Sequence, residues 1–332
     1  LTSPEVEHIV ESAHSLGATE VAFSGGEPLI QMTQLIAGIQ KATSLGMKIK
    51  IYTSGLLPSD QTISRTEVQP IWIWQTLKSY NRSIIPVFDV PTIDPALYDF
   101  ITLYDRFQES WPEVCPERRL SKILILAHKL YHEIGLDAEI NFVPMRVNCN
   151  SFEAVLQWAN SSKLRTNVLA YVEQGRAKKY SGWLSMSFAE FDHFRVIAWD
   201  LANRLYGKDT LYYNLRIGTP LQPPNNKDCH CTACSEKCVV RYDGQVIGCE
   251  ALKQLCLING VLEEDPYKAF ARNIRKASLD EACRCSEFST TRTSIPSILE
   301  RVKRFTPCPI QNLMYTRPEA HQTLNIGEYR NE

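Results

Sequence analysis

No cysteine precedes Cys115 in this chain of 332 residues. The amino-terminal third therefore carries neither a disulfide nor a thiolate metal site. No run of about 18 apolar residues occurs, so no segment reads as a membrane-spanning helix. The start lacks a basic region followed by an apolar core, so nothing marks the chain for secretion, and a soluble, cytoplasmic protein is expected. An excess of one charge is also missing. Lys and Arg number 36 against 37 Asp and Glu, for a formal net charge of −1, and no long basic or acidic run interrupts the balance. Electrostatics accordingly give no support for nucleic acid or an anionic membrane as a partner. No internal repeat and no low-complexity tract is present. With 44% hydrophobic residues, the chain has enough core for one large domain and a smaller one.

Periodicity is the first positive signal. Thr2-Ser3-Pro4-Glu5 offers a capping box or a Ser3 cap with Pro at the first helical position, and Val6, Ile9, Val10, Ala13 and Leu16 follow at helical spacing up to Gly17. The strand "TEVAFS" comes next, then a helix with Leu35, Ile36, Ile39 and Ala42 ending near Gly46, then the strand "KIKIYTS". Further strands read at 83–90, 138–145, 167–172 and 211–217, with helices near 70–80, 120–134, 151–161 and 187–206. Ser187 with Glu190 makes a second capping box. Strands alternating with amphipathic helices predict a parallel sheet with right-handed crossovers. The alternation stops at the Pro/Asn-rich stretch 219–228, which marks a domain boundary.

In such a sheet, ligands gather at the carboxyl ends of the strands. "SGGEP" lies at one of these ends: Gly25 and Gly26 allow a ligand close to the backbone, and Glu27 can accept from a cationic amine. A tight turn with a solvated Glu is the plain alternative. "YTSG" (52–55), "MRVN" (145–148) and "EQGRA" (173–177) end other strands, so Ser54, Asn148 and Arg176 join the rim as candidates for hydroxyl and carboxylate contacts. Asp89 ends a further strand, as a ligand contact or as a turn residue.

Cysteine, absent at the start, crowds the other end. Of 11 cysteines, only Cys115 and Cys149 precede residue 229, and these read as structural. "CHCTACSEKCVVRYDGQVIGC" places five cysteines in residues 229–249, more than the four thiolates that one tetrahedral metal or one iron–sulfur cluster needs. An odd cysteine count without a secretion signal argues for metal ligation over disulfides. Asp243-Gly244, a dipeptide favoured in type I′ turns, predicts a hairpin with Cys238 and Cys249 at its open end. Zinc and iron–sulfur both suit the spacing.

The placement of "SGGEP" at a strand end, the helix opening "LTSPEV" and the cysteine hairpin together resemble a radical S-adenosylmethionine (radical SAM) enzyme with a SPASM or twitch extension, over nearly the whole chain. The resemblance implies an α/β fold. Residues 1–218 would form a partial (β/α)6 TIM-like barrel lacking its first strand, and 219–332 a small cysteine-rich iron–sulfur domain. Gly25, Gly26 and Glu27 would hold the methionine amino group of S-adenosylmethionine, with Ser54, Asn148 and Arg176 lining the pocket. Cys238-x10-Cys249 is similar to the hairpin that starts an auxiliary four-iron cluster, whose further metal ligands would come from Cys229, Cys231, Cys234, Cys283, Cys285 and Cys308. The implied activity is reductive cleavage of S-adenosylmethionine to a 5′-deoxyadenosyl radical that abstracts a substrate hydrogen. The implied substrate is a peptide or protein, with small-molecule cofactor or metabolite biosynthesis as an alternative, and a flavodoxin or ferredoxin as electron donor. A non-catalytic metal-binding protein on a degenerate barrel is the third option. Two departures stand out. The usual downstream Cys-x2-Cys-x5-Cys-x3-Cys run is missing. So is the Cys-x3-Cys-x2-Cys loop of the catalytic four-iron cluster, and because the chain opens with Leu1 at a helix cap, truncation upstream of that helix is the expected cause.

Overall fold

A computed structural model describes residues 1–59, 62–102, 116–171, 180–217, 238–247 and 272–273. The first helix, α1 (Ser3–Ser15), starts where the sequence places it: the Thr2 backbone N–H donates to Glu5 Oε2 at 2.7 Å, which satisfies a donor that the first turn leaves open. Strand β1 (Glu20–Phe23), helix α2 (Met32–Ser44) and strand β2 (Lys48–Thr53) follow with short connections. An antiparallel ribbon not foreseen in the sequence, β3 (Leu56–Ser59) with β4 (Thr62–Val68), then rises from the end of β2. Its Pro and Ser residues masked a strand signal that depends on unbroken alternation.

The chain continues through α3 (Ile71–Tyr80), β5 (Ile84–Asp89), α4 (Pro95–Thr102) and α5 (Pro116–Lys129), which ends in a π-helical turn at Leu130–Ile134. Strand β6 (Glu139–Phe142), helix α6 (Phe152–Ser161), strand β7 (Arg165–Val168), the short α7 (Ser181–Leu184) and the long α8 (Phe188–Asn214) lead to β8 (Leu215–Ile217). The Ser187–Glu190 box is formed, with the Ser187 N–H donating to Glu190 Oε2 at 2.6 Å. Helix α8 turns at Gly207 (φ 68°) and runs on through 211–214, where the sequence had suggested strand. The strand is confined to Leu215–Ile217 because β7 offers partners only from Thr166 to Val168 in that register.

Six strands form one open parallel sheet in the order β1-β2-β5-β6-β7-β8, each overlapping one expected from the pattern, although β7 begins two residues before the expected 167–172 and ends at Val168. Helices flank it. The face toward them is apolar: Ile49 and Ile51 of β2, Ile84 and Phe88 of β5, Ile140 and Phe142 of β6 and Leu215 of β8 are all buried. Phe142, Phe152 and Phe194 pack ring against ring, with Phe152 5.1 Å from Phe142 and 5.3 Å from Phe194, and so join β6, α6 and α8. Each such ring buried stabilises the fold by about 1.5–3 kcal/mol.

Near the carboxyl terminus, β9 (Val239–Val240) and β10 (Gln245–Ile247) pair antiparallel, and β11 (Arg272–Asn273) joins β10. The expected hairpin is present, but its turn differs. Gly244 donates to the Arg241 carbonyl at 2.9 Å, and Gly244 alone has a positive φ (85°), so Asp243 keeps a negative φ and the connection is longer than a two-residue type I′ turn. Type I′ needs both central residues left-handed, which costs Asp more than Gly. The expected boundary at 219–228 lies outside the described residues. Among the described residues, no helix is long and apolar enough to cross a membrane.

Candidate functional site

Strand β1 stops at Phe23, and the chain turns through Gly25 (φ 87°) and Gly26 (φ 59°), backbone conformations that L side chains rarely adopt. A Cβ added to either glycine would meet nothing within 4 Å, so the turn borders open space at the strand ends. Glu27 then caps a single 3-10 turn, Pro28–Gln31. Its carboxylate reaches across to β2, accepting from Thr53 Oγ1 at 2.8 Å, the Ser54 N–H at 2.9 Å and Ser54 Oγ at 2.8 Å. The structure thereby brings Gly25, Gly26, Glu27 and Ser54 together. It adds a support that the sequence did not reveal. Gln69, directly after the ribbon, donates from Nε2 to Thr53 Oγ1 and accepts from the Trp74 indole N–H at 3.1 Å. Gln69 and Trp74 are buried, so this relay holds the Thr53–Glu27 contact from behind.

Asn148 serves differently. It is fully buried, its amide nitrogen donates to the carbonyls of Pro91 (2.9 Å) and Val143 (3.1 Å), and its oxygen accepts from the Met145 N–H (2.7 Å). The side chain ties the loop after β6 to the loop after β5. Arg146 of the same loop is engaged by Glu190, with Nε to Oε1 at 2.9 Å and Nη2 to Oε2 at 3.0 Å. That pairing lowers the Glu190 pKa despite the opposing effect of burial. Cys149 is half-buried, and desolvation pushes its thiol up, as suits a structural cysteine. Of the expected metal ligands, Cys238 is exposed at the foot of the hairpin. Cys229, Cys231, Cys234, Cys249, Cys283, Cys285 and Cys308 lie outside the described residues, as does Arg176. Among the described residues, no group of three or more His, Cys, Asp or Glu could hold a metal ion.

The sheet face turned away from the helices is polar. Lys50 of β2 donates to Glu139 Oε2 of β6 at 3.0 Å, and Asn167 of β7 donates to the same oxygen at 3.0 Å. Asn167 also donates to Asn141 Oδ1 at 3.2 Å, and Asn141 donates to Asp89 Oδ1 at 3.0 Å. The wire runs from the interior to the rim, since Asp89 ends β5, where part of its surface reaches solvent while neighbouring protein still crowds its carboxylate. Desolvation raises the Asp89 pKa even though the Asn141 bond works against it. Burial alone would also raise the Glu139 carboxyl, but the Asn167 bond, Lys50 and Arg165 outweigh it, and its pKa is lowered. Tyr52, on the same face, is pushed up to about 12 by desolvation and by Glu139, Glu20 and Asp89, and stays protonated.

Sequence reasoning missed this face, although a signal was present. "KIKIYT" and "EINF" alternate polar with apolar residues. A parallel sheet covered on both sides reads as continuous apolar runs, so alternation marks one face as a polar lumen.

No family model matches the chain, and no curated protein matches it. Among solved structures, the fold is similar to that of SuiB from Streptococcus suis, with 18% identity and a TM-score of 0.55 over 86% of this chain. SuiB bound to S-adenosylmethionine matches at 17% identity and a TM-score of 0.53 over 84% of this chain. SuiB bound to its precursor peptide SuiA matches at 17% identity and a TM-score of 0.56 over 86%. The chain spans 60%, 57% and 58% of those three chains, in the same order. At such identity the likeness is one of fold, an open α/β sheet flanked by helices and consistent with a partial TIM-like barrel.

Proposed function

We propose that this chain is the barrel and cysteine-rich extension of a radical SAM enzyme acting on a peptide or protein, divided at residues 218 and 219. The observation that carries the reading is the open cradle at Gly25 and Gly26 beside the Glu27 carboxylate, at the carboxyl end of a strand in a parallel sheet. An amino acid's ammonium group suits that cradle. Ser54 orients the Glu27 carboxylate, and Arg176 is assigned to the same rim. The SuiB likeness supports the fold, and SuiB complexes with S-adenosylmethionine and with a precursor peptide support the cofactor and the substrate class. Bound S-adenosylmethionine would supply radical chemistry, abstraction of a substrate hydrogen. The chain's own residues hold the cofactor's amine at the rim and present a polar, partly desolvated lumen beneath it. The ligands of a catalytic four-iron cluster are not supplied by a Cys-x3-Cys-x2-Cys run within these residues, the first cysteine being Cys115.

Replacing Glu27 with Gln is expected to weaken S-adenosylmethionine binding about tenfold or more, the order of a charge-assisted hydrogen bond. Calorimetric titration of the two proteins measures it. Equal affinities would reduce "SGGEP" to an ordinary turn.

The cysteine density of residues 229–249 also suits a second reading, a metal-binding protein on the same scaffold. The extension is assigned an oxygen-sensitive iron–sulfur cluster with Cys238 and Cys249 as ligands, joined by others among Cys229, Cys231, Cys234, Cys283, Cys285 and Cys308. Iron and sulfide analysis of anaerobically prepared protein is expected to find both, with a visible charge-transfer band. Stoichiometric zinc without iron would support the second reading instead.

A further inference from the structure

One lateral row of the sheet crosses the lumen from a carboxylate to a guanidinium. Asp89 of β5 pairs in register with Asn141 of β6, Asn141 with Asn167 of β7, and Asn167 with Arg216 of β8. At about 4.8 Å between strands, the row spans about 14 Å, the length of roughly four extended residues. Its first three members are linked by hydrogen bonds, each amide donating toward Asp89. Arg216 stands apart.

Three cations surround the buried Glu139: Lys50 at 3.0 Å, Arg165 at 3.3 Å and Arg216 at 3.5 Å. Lys50 has a second carboxylate in Glu20 at 4.0 Å, and Arg165 has one in Asp137 at 3.9 Å. Among the described residues, the one carboxylate near Arg216 is the shared Glu139, at the longest of the three distances, and Glu139 Oε1 makes no hydrogen bond there. The Arg216 side chain is 49% exposed while Glu139 is 0% exposed. A planar fork of donors is therefore half-exposed on this face, with one long ion pair to a carboxylate that it shares with two other cations.

We propose that Arg216 is a specificity residue that binds a carboxylate on the substrate segment occupying the lumen, either an acidic side chain or a terminal carboxylate. The inference rests on the reading of the lumen as a substrate chamber. A carboxylate can meet the guanidinium in two parallel N–H···O bonds, whereas a carboxamide offers one acceptor and no charge. The amides of Asn141 and Asn167 lie along the row that such a segment would cross.

The test titrates the full chain with N-acetyl-glutamate methylamide and with the neutral N-acetyl-glutamine methylamide, following the side-chain amide resonances of Asn141 and Asn167. The acidic probe should saturate these signals at about tenfold lower concentration than the neutral one, as a charge-assisted pair predicts. In Arg216→Gln the preference should fall below about twofold, and in Arg216→Lys, which keeps the charge without the fork, it should be intermediate. Equal response to both probes in the wild type, or an undiminished preference in Arg216→Gln, overturns the assignment. If the Asn167 signals of Arg216→Gln are displaced before any probe is added, Arg216→Lys decides: reduced preference supports the role, and wild-type preference removes it. S-adenosylmethionine titrated into the same wild-type sample reports separately on the proposed function, so failure of cofactor binding is distinguishable from failure of carboxylate recognition.

Discussion

A carboxylate works as an amine-binding group only if its own position is held, and Glu27 is held by atoms from β2 and from beyond the ribbon. Thr53 and Ser54 bond it directly, and Gln69 fixes Thr53 from the buried side. Replacing Gln69 with Leu removes that support and strands the Trp74 indole N–H in a fully buried site. The expected cost is about 1–3 kcal/mol of stability, read from urea unfolding followed by tryptophan fluorescence. Weaker S-adenosylmethionine binding in the folded variant should accompany it, because a carboxylate free to rotate is no longer aimed. Unchanged binding would mean that Ser54 alone suffices. Glu27 and Ser54 were legible because each sits next to a glycine at a strand end. Gln69 was not, since nothing local distinguishes it from any glutamine before a proline.

Between elements, a close approach is marked by Gly38 of α2. A Cβ there would fall 2.6 Å from the Phe23 ring and 2.9 Å from Val6 Cγ1, so α2 reaches both β1 and α1 only because that position has no side chain. In a solvated helix, Gly to Ala gains about 1 kcal/mol. Here the sign reverses: Gly38→Ala is expected to destabilise by about 1–3 kcal/mol through overpacking, with Phe23→Leu restoring part of the loss. Thermal unfolding of the single and double variants checks this. Because Phe23 is the last residue of β1, two residues before Gly25, the same substitution should also disturb the glycine turn. Helical spacing predicted α2 from its apolar residues, but Gly38 lies on the buried side for a reason that periodicity does not express. The end of α8 teaches the same lesson: "LYYN" has strand propensity, yet only three residues of β8 find partners on β7.

Across the whole molecule, the lumen charges tie β2, β6, β7 and β8 into one network around Glu139. Glu139→Leu leaves the buried Lys50 and the partly buried Arg165 without their shared partner, at an expected cost of about 3–5 kcal/mol, while Lys50→Met/Glu139→Leu should recover at least part of it. The pH dependence follows from the lowered Glu139 pKa. Its stabilisation is complete above the unfolded value of about 4.3 and is lost as pH falls through the lower folded value. Urea midpoints measured from pH 7 down to 3 should therefore fall less steeply in Glu139→Gln than in the wild type. Parallel slopes would show that another carboxylate governs the acid limb.

The local pattern was enough for the six parallel strands, for the helix caps at Thr2 and Ser187 and for the glycine-rich turn, because each depends on residues within a few positions of one another. The cysteine hairpin was legible for the same reason, though not the form of its turn. What tertiary structure decided is the meeting of residues far apart in sequence: Glu27 with Ser54, Gln69 with Thr53, Lys50 with Glu139, and Arg216 in one row with Asp89. Alternation in "EINF" shows that Glu139 and Asn141 share a face, but not which cations share it with them. That follows from parallel register, which sets neighbouring strands side by side regardless of the chain length between them.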